Sequence, residues 1–135
     1  MTDTLRLRLV TPERLVLDEE VEEITAPGTL GEFGVLPNHT TFLSSLEIGG
    51  LTYKKGGEIH SLAVSDGFAE VDDDSVTVLC SDAAFAHEID PQDAKEAVGA
   101  AEEKIKNIAP TDSGFDEAQK ALSVAQNRLN VVSKD

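Results

Sequence analysis

A change of hydrophobic period near Ala84 limits what this chain can fold into more than any other feature. From Leu5 to Cys80 apolar residues recur mostly at every second position; beyond that they recur at every third and fourth. The first spacing puts one face of an extended strand on a core, and the second puts one stripe of a helix there. A chain that obeys both in succession is neither a single sheet nor a helical bundle. It has a β half followed by an α half.

In the β half, Leu5, Leu7 and Leu9 alternate with Arg6 and Arg8, and Ile59–Val64 and Val76–Leu79 are short β-type runs. Turn signals punctuate them: Pro27-Gly28, Pro37-Asn38, Gly49-Gly50, Lys55-Gly56-Gly57, Asp66-Gly67 and Asp72-Asp73-Asp74. Short strands with regular turns and no helix between them predict an antiparallel β-sandwich or barrel. In the α half, Asp90 is placed to cap a helix, with Pro91 at its first position and acid in its first turn. Ala94, Ala97, Val98, Ala101, Ile105 and Ile108 then share one face, and Pro110 is expected to stop the helix. After the turn Thr111-Asp112-Ser113-Gly114, Phe115, Ala118, Leu122, Ala125, Leu129 and Val132 make a second stripe. So short a link predicts an αα-hairpin. The expected division is a β-sandwich over residues 1–86 and a two-helix hairpin over 87–135. Alanine-rich stripes bury little area per residue, so the hairpin is expected to be the less stable half.

Composition narrows the function. The chain has 135 residues, enough for one domain with an appendage, and with no Trp and few aromatics its core must be aliphatic. The N-terminus reads as neither a signal peptide nor a membrane span, which implies a cytoplasmic location and a reduced Cys80. The net charge of -15 repels phosphate backbones and anionic lipid, so nucleic acid and direct lipid insertion are not expected; a basic protein surface would be attracted. Residues 1–87 carry 16 acidic against 5 basic side chains, so that bias is strongest in the β half.

The search for chemistry is nearly empty. His39, His60 and His87 lie at no metal-ligand spacing to one another or to Cys80. Cys80 ends an apolar strand and reads as a buried, inert thiol. Gly31-Glu32-Phe33-Gly34 is too short for a dinucleotide fingerprint, and Asp72-Asp73-Asp74 lacks the spacing of a calcium loop. Such a chain reads as a binding or structural protein rather than an enzyme, with no cofactor and no metal expected.

Several segments, in order along almost the whole chain, give it a specific likeness. Leu30-Gly31-Glu32-Phe33-Gly34-Val35-Leu36-Pro37-Asn38-His39-Thr40-Thr41-Phe42-Leu43 resembles the G-E-F/L-G-V-L-P-x-H-x-P-x-L segment of bacterial F-type ATP synthase epsilon subunits, with Thr41 where proline is common. Leu46 through Gly49-Gly50-Leu51, Val64 through Gly67-Phe68-Ala69-Glu70-Val71, and Val76-Thr77-Val78-Leu79 resemble the segments that follow, and Leu9-Val10-Thr11-Pro12-Glu13 resembles the start. The resemblance implies a sandwich of about ten antiparallel strands followed by a helical hairpin. It further implies a noncatalytic rotor subunit on the cytoplasmic face of the bacterial inner membrane. There it would link the gamma subunit to the c-subunit ring of a proton-translocating synthase, and its hairpin would reach the alpha and beta subunits. By the same resemblance Leu30, Gly31, Glu32 and Phe33 form the loop that meets the c ring, and His39 lies near gamma. A plain hairpin turn is the simpler reading of Leu30–Phe33, and a half-buried structural histidine that of His39.

One segment departs from the family. Some bacterial relatives bind ATP on the folded hairpin through I/L-D-x-x-R-A. Here the segment is Ile89-Asp90-Pro91-Gln92-Asp93-Ala94, so Asp93 replaces the arginine, and Ala84 replaces an acid in the linker. Arg128 remains in the second helix, which makes a degenerate nucleotide site of Ile89, Asp90, Asp93, Ala94 and Arg128 and makes ATP binding doubtful. The second helix offers only Lys120, Arg128 and Lys134 for contact with an acidic partner, which implies weak inhibition of hydrolysis. The alternative is a free-standing small-ligand or nucleotide sensor whose hairpin opens and closes.

Overall fold

The computed structural model describes residues 4–38 and 41–134, and the chain divides into two compact units, Met1–Phe85 and Ala86–Asp135. The first is all strand: β1 Leu5–Val10, β2 Leu15–Val21, β3 Glu23–Gly28, β4 Gly31–Val35, β5 Phe42–Leu46, β6 Gly49–Lys55, β7 Glu58–Val64, β8 Gly67–Asp72, β9 Ser75–Cys80 and β10 Ala83–Phe85. They hydrogen-bond in the order β10-β7-β6-β3-β5-β8-β9-β1-β2, with β4 paired to β3 beside that path. This is the expected β-sandwich. Its one parallel pairing among the described strands joins β1 to β9, from Arg6 opposite Ser75 to Val10 opposite Leu79.

The alternation read from the sequence decides which side chains go inward. In β1, Leu5, Leu7 and Leu9 are buried while Arg6 and Arg8 are exposed. Ile24, Val35, Leu46, Leu51, Leu62, Val64, Val71, Val76 and Val78 join them in one aliphatic core. Each such side chain contributes about 1.5–3 kcal/mol by leaving water. On the exposed face of β1 and β2, Arg6 Nε bonds Asp18 Oδ1 at 2.6 Å, and Arg8 approaches the other oxygen at 3.9 Å. The Arg6 hydrogen bond, aided by both charges, holds the Asp18 carboxyl below its usual range. The contribution of this pair is present above the ordinary carboxylate range and lost as pH falls through the lowered value.

Three turn expectations need correction. Gly49-Gly50 is not a turn but the start of β6, and the chain only bends at Ile48, because β5 and β6 run in the same direction, both antiparallel to β3. A Cβ on Gly49 would stand 2.7 Å from Pro27 Cβ, so glycine is required there by close packing. Pro27-Gly28 likewise ends β3 rather than turning. Pro27 cannot donate to the ladder, but its carbonyl accepts the Glu47 N–H at 2.9 Å. At Asp66-Gly67 only Asp66 bends, and Gly67 opens β8. A Cβ there would lie 1.9 Å from the Leu79 carbonyl oxygen, so the strands close only around glycine. Pro37-Asn38, Gly56-Gly57 and Asp73-Asp74 are turns, as expected.

The second unit holds a 3-10 turn, Ala86–Glu88, then α1 Pro91–Lys106 and α2 Phe115–Lys134, which pack on one another. Ala94, Ala118 and Ala125 are buried, Val98, Ala101, Ile105, Leu122 and Leu129 are half-buried, and Ala97, expected on the inner face, is exposed. The first helix ends before Pro110 acts. Asn107 caps it, its Nδ2 donating to the Glu103 carbonyl at 3.1 Å, and the N–H groups of Asn107 and Ile108 turn to carbonyls three residues back. A side chain that competes for the backbone in this way ends helices. Ile108 therefore lies outside α1.

The sandwich encloses its own aliphatic core, whereas the hairpin buries mainly alanines. A fragment of residues 1–86 should fold alone. Its far-ultraviolet circular dichroism should be that of a β protein with a cooperative melt; a random-coil spectrum would show that the hairpin is required for folding.

Candidate functional site

Three places stand out: two surfaces of the sandwich, of which the sequence pointed to the first alone, and one cavity of the hairpin unit. The first surface is the β3–β4 hairpin. Leu30, Gly31, Glu32 and Phe33 were expected in one loop, but the loop is only Thr29-Leu30. Gly31, Glu32 and Phe33 already belong to β4, opposite Gly28, Pro27 and Ala26. Two residues suffice for the reversal because Gly31 takes φ +125, which other residues rarely adopt. Leu30 at the tip is fully exposed, at 104%. Glu32 and Gly31 are exposed, while Phe33 turns toward the core and meets Phe42 edge-on at 5.4 Å. The hairpin thus presents one apolar and one acidic side chain on a hydrogen-bonded, stiff support. His39 lies outside the described residues.

The second surface was missed by the sequence reading. Phe68 faces Leu79 across β8–β9, Leu79 faces Val10 across β9–β1, and Val10 faces Leu15 across β1–β2. Phe68, Leu79 and Leu15 are each more than half exposed, so the row is an apolar strip on the outer face. Beside it a groove of about 580 Å³ is lined by Thr11, Pro12, Gly67 and Cys80 as well as Val10, Phe68 and Leu79. A signal existed: Leu9-Val10, Val78-Leu79 and Phe68-Ala69 are apolar at both parities, and a strand apolar on both faces has a second face to cover. Cys80 is buried at the groove floor. Burial, with Asp82 nearby, pushes its thiol up to about 11. A thiol so poorly ionised is a weak nucleophile.

The cavity lies within the hairpin unit. It has about 250 Å³ and is lined by Glu88, Ile89, Asp90, Asp93, Ala94, Ala97, Ala125 and Arg128. The fold does bring together all five residues of the expected degenerate nucleotide site. The arrangement does not fit a polyphosphate. At a helix N-terminus phosphate is held by unsatisfied N–H groups. Here Pro91 has none, Asp90 Oδ1 accepts those of Gln92 at 2.8 Å and Asp93 at 3.2 Å, and the Asp90 carbonyl accepts that of Ala94 at 2.9 Å. The helix start is satisfied by its own cap. Three carboxylates and one guanidinium line the cavity, and the half unit of positive charge at a helix N-terminus does not offset them. Its volume also falls below the roughly 300–1,000 Å³ of ordinary ligand pockets.

Comparison with known proteins places both units. The profile of the ATP synthase delta/epsilon chain β-sandwich domain matches residues 4–86, and that of the long α-helix domain of the same chain matches 87–133. The chain belongs to the ATP synthase delta/epsilon family. Within it, the chain is 51% identical over 134 residues to the ATP synthase epsilon chain of Geobacter metallireducens, covering 99% of this chain and 97% of that one. The epsilon chain of Geotalea daltonii is 52% identical over the same share of each chain. A chain in the cryo-EM structure of the Euglena gracilis mitochondrial ATP synthase, comprising OSCP, F1 and c-ring, superposes with a TM-score of 0.77 at 28% identity, over 92% of this chain and 78% of that one. A chain from the Tetrahymena thermophila central stalk and c-ring shares the fold, with a TM-score of 0.56 at 14% identity over 96% and 94% of the two chains. Among the described residues no helix is long and apolar enough to cross a membrane.

Two outcomes follow for the isolated protein. With its thiol at about 11, Cys80 is ionised to about one part in a thousand at pH 8. A disulfide reagent should therefore leave the folded protein unlabelled for hours and label it within minutes in denaturant; rapid labelling of the native state contradicts the burial. Isothermal titration with MgATP should give no saturable binding at micromolar concentration. Asp93→Arg restores the family's cation but leaves the Asp90 cap in place, so it should raise affinity only to the millimolar range. Tight binding by the natural chain would refute the cap argument.

Proposed function

We propose that this chain is the noncatalytic central-stalk subunit of a bacterial proton-translocating F1Fo ATP synthase. It links the gamma subunit to the c-subunit ring on the cytoplasmic face of the inner membrane. The observation that carries this reading is that the likeness to epsilon chains runs through both units, at about half identity and nearly full length. A rotor linker needs rigid contact surfaces rather than reactive groups, and the sandwich supplies two of them.

In this reading the β3–β4 hairpin meets the c ring. Leu30 inserts as an apolar tip, Gly31 allows the close turn, Phe33 braces the strand from inside, and Glu32 pairs with basic loop residues on the ring. The apolar row Phe68–Leu79–Val10–Leu15, together with the Pro37-Asn38 turn and the next residue in sequence, His39, meets gamma. Burying such a strip is the main gain in a stable subunit contact, and the -15 charge favours a basic partner. The α1–α2 hairpin reaches toward the alpha and beta subunits, and its few cations make it a weak brake on hydrolysis. Its degenerate nucleotide site does not report ATP.

Co-purification tests the reading directly. Chain carrying an affinity tag should bring down alpha, beta and gamma in fixed ratio from its own cells. A protein that elutes alone is a free-standing sensor instead. For the c-ring contact, Glu32→Lys should leave the melting temperature within about 2 °C, because the side chain is exposed. Its retention on membranes should fall several-fold at low salt, with the difference from wild type narrowing at high salt. Equal retention at both ionic strengths would remove Glu32 from the contact.

A further inference from the structure

Asp74 lies in the turn between β8 and β9, and it joins three segments far apart in sequence. Its carbonyl accepts the N–H of Arg6, at the start of β1, at 2.7 Å. Its carboxylate Oδ1 accepts the N–H of Asn38, 36 residues away, at 2.8 Å. The turn does not need that carboxylate for its own shape. Asp73 supplies the positive φ of 55, and the Ser75 hydroxyl closes the turn by donating to the Asp72 carbonyl at 3.1 Å. The Asp74 side chain instead reaches out to the loop between β4 and β5.

The residue it holds is a strained one. Asn38 has φ 65, the left-handed region that side chains other than glycine seldom occupy, although asparagine tolerates it better than most. Pro37 before it fixes the preceding φ, so Pro37-Asn38 is a turn whose third position requires a positive φ. A backbone N–H donated to a carboxylate is a charge-assisted bond, about twice as strong as a neutral one. Directly before this turn Leu36 stands 56% exposed, so the conformation of Asn38 decides how the loop is presented.

We propose that Asp74 is a positioning residue for the gamma-facing loop. It makes no contact with the partner itself but locks Pro37-Asn38, and with it Leu36, in the docking conformation. This rests on the reading under Proposed function that the loop meets gamma. The test compares Asp74→Ala, Asp74→Asn, which keeps an acceptor oxygen, and Asp72→Ala, which removes the same charge from the same turn. Two quantities are read on the full chain: amide hydrogen exchange at Asn38 by NMR, and affinity for a complex of alpha, beta and gamma subunits.

Asp74→Ala should speed exchange at Asn38 about tenfold, the scale of one charged hydrogen bond, and should weaken affinity three- to tenfold. Asp74→Asn should recover most of both, and Asp72→Ala should change neither. Unchanged exchange in Asp74→Ala overturns the proposal, because the turn is then held by something else. Equal weakening by Asp72→Ala and Asp74→Ala also overturns it, because charge alone is then responsible. Faster exchange with unchanged affinity overturns the link to docking. Failure of the natural chain to bind the complex refutes the gamma reading itself, and the exchange result still decides whether Asp74 holds the turn.

Discussion

The pairing of β1 with β9 is the interaction on which the sandwich depends. It joins Leu5–Val10 to Ser75–Cys80, the first strand to the next-to-last, and places β1 between β9 and β2. Leu7 and Leu9, opposite Val76 and Val78, are fully or almost fully buried. The same pairing aligns Val10 with Leu79 on the outer face, so one register builds both the core and the apolar strip. Slipping the register by one residue would exchange the two faces and put Arg6 and Arg8 inside. The Asp74–Arg6 backbone bond at the end of this pairing helps to prevent the slip.

The two units solve stability differently. The sandwich buries leucine, isoleucine and valine, and every buried side-chain polar atom among its described residues has a partner. The hairpin buries small side chains and relies more on local devices. These are the Asp90 cap, proline at the first helical position, and the Asp112 carboxylate bonded to the Gly114 N–H at 2.8 Å before α2. That local economy has a chemical cost. By satisfying its own first N–H groups, α1 closes the anion site that a helix start would otherwise offer.

The sequence made the period change, the alternation of β1 and the cap of α1 legible, because each is a local rule with one dominant cause. Long-range packing was not legible. Gly49 and Gly67 look like turn glycines until the strands that approach them are known, namely Pro27 in one case and Leu79 in the other. The loop expected over Leu30–Phe33 shrank to two residues because β4 pairs with β3 as far as Gly31. The end of α1 depended on Asn107, whose preference for its own backbone outweighed the more conspicuous Pro110. The five residues around the hairpin cavity were all named in advance, since a resemblance carries spatial neighbours that spacing alone does not. The apolar strip went unread because its members come from four different strands.

The β1–β9 pairing also bears on how the chain is made. Leu5, Leu7 and Leu9 leave the ribosome well before the strand that covers one edge of β1, which ends only at Cys80. At the roughly 5–20 residues per second typical of synthesis, β1 waits several seconds for that partner. During that interval it has only β2, and a lone hairpin is marginal in water. Arg6 and Arg8, bridged to Asp18 at 2.6 and 3.9 Å, are on that hairpin. Charged side chains on such a hairpin disfavour its pairing with a neighbouring chain.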